Sequence, residues 1–118
     1  MSRAWLVTGV VEAPVQDAFT ALLAVGPAAG IQDDTATVEV DPKQHTLAVQ
    51  GHWWYRGVYT VRGHARGSLV EYRVHNIATR GRWVVPLMQR RLPDQMRGAL
   101  ADLLQTIGRH LDCPAYLS

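Results

Sequence analysis

The sequence predicts an α+β domain in which a curved antiparallel β-sheet wraps around one long C-terminal α-helix, with a short helix after the first strand. Three observations carry this expectation. Most segments between Ala4 and Ala78 alternate polar and apolar residues with the two-residue period of strands. One early segment, Val15 to Leu23, changes to helical spacing. The stretch from Pro93 to Leu111 keeps a single apolar stripe, and such a helix and a sheet with one apolar face must cover each other.

Composition bounds the rest. The 118 residues suit one domain spanning 1–118, because two would each be too small to bury a core. With 47% hydrophobic and 19% charged residues and no Pro, Ser or Gly tract, order is expected nearly end to end. Cys113 is the only cysteine, which excludes an intrachain disulfide and points to the cytoplasm. Met1 to Val11 lacks the long apolar run of a signal peptide and reads as a first strand. No window of 18 residues is apolar and free of charge, so no membrane span is expected. The net charge is +2, and Lys43 is the only lysine among 12 basic residues. Arg80, Arg82, Arg90 and Arg91 cluster, either as a solvated connection before the last helix or as a contact for phosphates or an acidic partner.

In chain order, AWLVTGVVE from Ala4 to Glu12 is a strand that Ala13-Pro14 ends. Pro14 opens a helix carrying Val15, Phe19, Leu22 and Leu23, closed near Gly26-Pro27. Ala28 to Asp34 reads as a loop. Thr35 to Val40 is a half-buried strand with Ala36, Val38 and Val40 on one face. Asp41 to Gln44 has turn chemistry, and His45 to Gln50 follows as a strand with Leu47 and Val49 inward. Gly51-His52 then forms a turn or bulge, with Arg56-Gly57 as the rival break.

Strands from Trp53 to His64 and from Ser68 to Ala78, joined at Ala65-Arg66-Gly67, make a long hairpin. Polarity sends Arg56, Thr60, Arg62, His64, Glu71, Arg73 and His75 outward, and Tyr55, Tyr59, Val61, Val70, Tyr72, Val74 and Asn76 inward. Thr79 to Arg91 reads as a connection. The last helix begins at Pro93-Asp94 and carries Met96, Ala99, Leu100, Leu103, Leu104, Ile107 and Leu111 on one stripe, with Arg109 and His110 at its C-terminal end.

VVEAPVQDAF, GHWWYRGVYTV, GSLVEYRVHNIA and the final LADLLQTIGRHL resemble bacterial members of the START-like (SRPBCC) superfamily labelled polyketide cyclase or dehydrase. The birch-pollen allergen family shares that fold. The resemblance covers nearly the whole chain and rests on structural motifs. It implies a helix-grip fold with a cavity between sheet and long helix, where apolar small molecules bind. Its lining would be Trp53, Tyr55, Tyr59, Tyr72 and Asn76 from the sheet, facing Met96, Leu100, Leu103 and Ile107 from the helix, an apolar wall with a few polar handles. The chain is short for the superfamily and departs from it most at Ala28 to Asp34 and Thr79 to Arg91.

Chemical motifs are sparse. The five histidines show no HExxH or His-x-His spacing and there is no CxxC, so no metal is expected, and no cofactor motif occurs. No nucleophile elbow or P-loop is present. Glu12, Glu39, Asp41, Glu71 and Asp102 are assigned outward, leaving no inward carboxylate pair for acid–base work and no nameable catalytic residue. Three functions stay open. The first is a carrier or sensor of a lipid- or polyketide-like molecule. A polyketide cyclase or aromatase would use the Tyr hydroxyls and the Asn76 amide to stabilise an enolate. An interaction module would use Trp54, Trp83 and the Arg cluster on protein or RNA. DNA is not an expected partner, and Trp54 on the outer face leaves a homodimer open.

Overall fold

The structure, a computed structural model, describes residues 4–26, 37–50, 55–76 and 85–118, with side chains except at Ala4, Thr37, Gln50, Tyr55, His75, Asn76 and 85–93. The elements in chain order are β1 (Ala4–Val11), α1 (Val15–Val25), β2 (Thr37–Asp41), β3 (Thr46–Gln50), β4 (Tyr55–His64), β5 (Gly67–Asn76), α2 (Val85–Leu111) and β6 (Ala115–Leu117). The architecture is α+β. All six strands form one antiparallel sheet in the order β2-β3-β4-β5-β1-β6, and both helices lie on one of its faces.

The polarity-based face assignment holds through the hairpin. Val61 lies opposite Val70, Tyr59 opposite Tyr72 and Gly57 opposite Val74, all on the helix-covered face. Thr60 lies opposite Glu71 and Val58 opposite Arg73 on the outer face. The His64–Gly67 pair leaves Ala65 and Arg66 as a two-residue loop, and Gly67 takes φ +135°, a conformation L side chains rarely adopt. A Cβ there would strike the backbone of Val11 and Ala13. Buried Ser68 fastens the same corner by donating its hydroxyl to the Ala13 carbonyl at 2.6 Å. The first strand and the β5 entrance are thereby locked together ahead of α1. Pro14 is the N-cap residue of α1, one position before the helix, and at the other end the Gly26 N–H closes on the Leu22 carbonyl.

Several expectations need correction. Helix α2 begins at Val85, not at Pro93, and the backbone of Arg90 and Arg91 lies within it instead of in a connection. Pro93 therefore sits in the helix interior, where it supplies no N–H to the Gln89 carbonyl. A long apolar stripe outweighs one missing hydrogen bond when tertiary packing supplies the stability. Strand β4 runs unbroken through Arg56-Gly57. Val38 and Val40 do share the face of Leu47 and Val49, but they are 38% and 45% exposed, because β2 is an edge strand beyond the helices' reach. Glu71 points outward as expected yet is only 7% exposed, closed in between Arg62 and Arg73 on the central strand. The Gly51-His52 turn, the Ala28 to Asp34 loop, Trp53, Trp54, Trp83, Arg80 and Arg82 lie outside the described residues.

Strand β6 was not foreseen in the sequence. Asp112, with φ +54°, turns the chain after α2, and the Cys113 N–H reaches back to the Gly108 carbonyl at 3.0 Å, the hydrogen bond of a Schellman motif. A Cβ on Gly108 would meet the Cys113 carbonyl, so the bare glycine lets the chain double back over the helix end. Ala115, Tyr116 and Leu117 then pair with Val11, Val10 and Gly9.

Candidate functional site

The covered face has a sealed end and, beyond it, a half-buried Tyr72 flanked by a second buried cluster of Val74 and Met96. At the sealed end α1 lays Phe19 and Leu22 over Val61 and Val70, and α2 adds Leu104 and Ile107, all at 3% exposure or less. Gly9 lets α2 come this close: a Cβ there would collide with the Leu104 side chain. The long helix therefore packs chiefly on β1 and β6, beside α1, rather than across the middle of the sheet.

Two residues further along β5 one side chain departs from this, between buried Val70 and buried Val74. Tyr72 stays half-buried although it occupies the middle of the sheet on the covered face. Its ring stacks on Tyr59, with centroids 4.3 Å apart and planes 2° from parallel. The pair is a cross-strand neighbour set of the kind that stabilises antiparallel sheets. Gly57 makes room for it, since a Cβ on Gly57 would lie 3.2 Å from Tyr72 Cε1. An aromatic ring leaning over a strand glycine restores packing that the missing side chain gives up.

Around this pair the structure assembles an apolar wall. Val74 and Met96 are buried against Trp5, Val7 and Tyr72, while Tyr59, Leu100, Leu103 and Ile107 belong to the main core. Val7 and Tyr72 touch both clusters and join them. Of the nine residues expected from the sequence to line a cavity, six are thus brought to one face: Tyr59, Tyr72, Met96, Leu100, Leu103 and Ile107. Leu100 and Ile107 are fully buried and act as core, whereas Tyr72 keeps solvent access. Trp53 and the side chains of Tyr55 and Asn76 lie outside the described residues.

Sequence reasoning passed over Trp5 and His45. Trp5 lies opposite Val74 on the covered face. His45 shares the inward parity of Leu47 and Val49, which was the available signal. Its half-buried ring meets Phe19 edge-on at 5.4 Å, and its backbone takes φ +49° as the chain leaves the Asp41 turn, where Asp41 Oδ1 accepts from the Lys43 and Gln44 amides.

Among the described residues the carboxylates are kept off this face. Asp17, Glu39, Asp41, Asp94, Asp102 and Asp112 are exposed, and Glu12 lies at the β1–α1 connection. Glu71 Oε1 lies 2.6 Å from Arg62 Nε and Oε2 lies 3.3 Å from Arg73, both on the outer face. The Arg62 contact compensates charge without an aligned hydrogen bond to the buried Oε1. The Cys113 thiol is pushed up by burial first, then by the Glu12 and Asp112 carboxylates, against a smaller lowering from the Glu12 backbone. It is therefore a poor nucleophile. Among the described residues no three His, Cys, Asp or Glu side chains gather as metal ligands, and no helix is long and apolar enough to cross a membrane.

No family model matches the chain, and no curated protein is similar to it in sequence. Among solved structures, that of TTHA0849 from Thermus thermophilus is similar, with a TM-score of 0.56 over 92% of this chain and 95% of that one, at 13% identity. At that identity the likeness establishes a shared fold.

Proposed function

We propose that this chain is a START-like helix-grip domain, cytoplasmic in location, that binds an apolar or aromatic small molecule between its sheet and α2 as a carrier or sensor. One observation supports the reading above the rest. Tyr72, in the middle of the sheet on the helix-covered face, remains half-buried within an apolar wall of Trp5, Val74 and Met96, whereas Val70 two residues away is sealed. Ligand sites combine such apolar walls with a few polar groups, and here the tyrosine hydroxyls supply them.

Carriage fits the described residues better than cyclisation. A cyclase needs a proton acceptor beside its substrate, and among the described residues no carboxylate lies on this face. The imidazole of His45 does, but it packs against Phe19 beside Val61, two strands and one register row from Tyr72. Titration with anilinonaphthalene sulfonate, together with native mass spectrometry of freshly purified protein, tests the proposal. Saturable one-to-one dye binding that Tyr72→Leu weakens while circular dichroism is unchanged is the expected result. A protein that carries no small molecule and takes up no dye would sink it.

A further inference from the structure

The two sheet edges are finished differently. At one edge the short β6 covers β1. At the other, β2 has β3 on one side and, among the described residues, no strand on the other. The backbone direction along β2 can be derived. The Val61 N–H donates to the His45 carbonyl at 2.9 Å. Because backbone groups alternate sides along an antiparallel strand, His45, Leu47 and Val49 address β4, while Thr46, Ala48 and Gln50 address β2. Their register partners Asp41, Glu39 and Thr37 spend their groups on β3. Val38 and Val40 therefore aim their N–H and C=O groups at the open side, and these same two residues expose apolar side chains, at 38% and 45%. An edge with free ladder groups and bare valines is a template for another strand.

We propose that β2 pairs antiparallel with β2 of a second copy of this chain about a two-fold axis at Glu39, continuing one sheet through both molecules. The segment TVEVD is self-complementary in that register. Val38 faces Val40 of the second copy at two symmetric positions, each a hydrogen-bonded pair that also brings the valines together on the covered face. Pro42, the next residue whose backbone would face that side, has no N–H and ends the ladder.

The self-complementary register selects a second copy as the occupant, and charge allows it. Two Glu39 carboxylates would meet at the axis, and like charges directly opposite are destabilising. Arg56 offsets them: it reaches across β3, over buried Ala48, and contacts Glu39 at 2.8 Å. The axis thus gathers two carboxylates and two guanidiniums, a neutral quartet. Each copy brings its own Arg56 to balance its own Glu39, so the two β2 strands can meet without net charge at the axis.

Sedimentation equilibrium of the full chain, from low to high micromolar concentration, reads the outcome. A reversible monomer–dimer equilibrium is expected. Val40→Lys should raise its dissociation constant by roughly 2- to 30-fold, since it removes two cross-strand pairs per dimer. Arg56→Ala should weaken the dimer more than Glu39→Gln, because only the former leaves the carboxylates facing each other uncompensated. In a Cys113→Ser background, Glu39→Cys should oxidise to a covalent dimer, as directly opposed Cα atoms at about 4.5 Å fall within disulfide reach. Asp41→Cys, displaced from the axis, should not. A single-chain mass at every concentration overturns the proposal, as does a dimer in which Glu39→Cys fails to cross-link. Circular dichroism of each variant separates a lost interface from a lost fold.

Discussion

Val70 and Tyr72 sit two residues apart on the same strand and the same face, yet the first is fully buried and the second is not. Two helices cover the neighbourhood of Val70, and Gly9 lets α2 descend onto β1 there. Tyr72 stacks on Tyr59 and packs against buried Val74 and Met96, yet keeps part of its surface exposed. The sealed end is packed by two helices, whereas Tyr72 keeps partial exposure between that end and the buried Val74–Met96 cluster.

Substitutions can break or sharpen this contrast. Leu104→Ala removes a fully buried side chain from the sealed end and should cost about 2–5 kcal/mol, read as a fall in the urea midpoint without a change in slope. Gly9→Ala should cost about 1–3 kcal/mol, because the new methyl meets the buried Leu104 side chain and, at 3.1 Å, the Tyr116 carbonyl. Tyr72→Leu should lower stability by only about 1 kcal/mol, the stacking contribution, while weakening dye binding severalfold. Gly57→Ala should cost less than Gly9→Ala, at most about 1 kcal/mol, since the methyl would lie 3.2 Å from one Tyr72 ring carbon and meet no backbone atom closer than 3.8 Å. Equal costs for the two glycine substitutions would erase the distinction between the ends.

Much of this was legible in the sequence because polarity in a hairpin is a two-state code. Once Arg62 and Glu71 are placed outward, Val61 and Val70 must point in, and the observed register agrees. The apolar stripe from Met96 to Ile107 likewise identified the buried face of α2, except for Ala99, which is exposed. Pro93 misled because a local rule against interior proline was read as a boundary, while the stripe on its C-terminal side anchors the helix regardless. Strand β6 has three residues, too few to establish a period, and forms because a turn at Asp112 returns the chain to β1. The burial of Glu71 depends on two arginines on β4 and β5, information that resides in the register and not in any single segment. For the candidate site, residue type and parity identified Tyr59 and Tyr72, but the relative openness of Tyr72 depends on where the helices lie across the sheet, which parity does not encode.

The strand order has a consequence for how the molecule comes into being. Strands β2 to β5 are joined in sequence to their spatial neighbours and can zip as successive hairpins soon after they are made. The first strand is different: its partners are β5, some sixty residues downstream in register, and β6, more than a hundred away. Closing such loops carries a large entropic penalty before any contact repays it, so the step that docks β1 should govern the folding rate. On the ribosome, β1 and its valines must wait at least until β5 has been made, and during that interval the nascent protein most needs a chaperone.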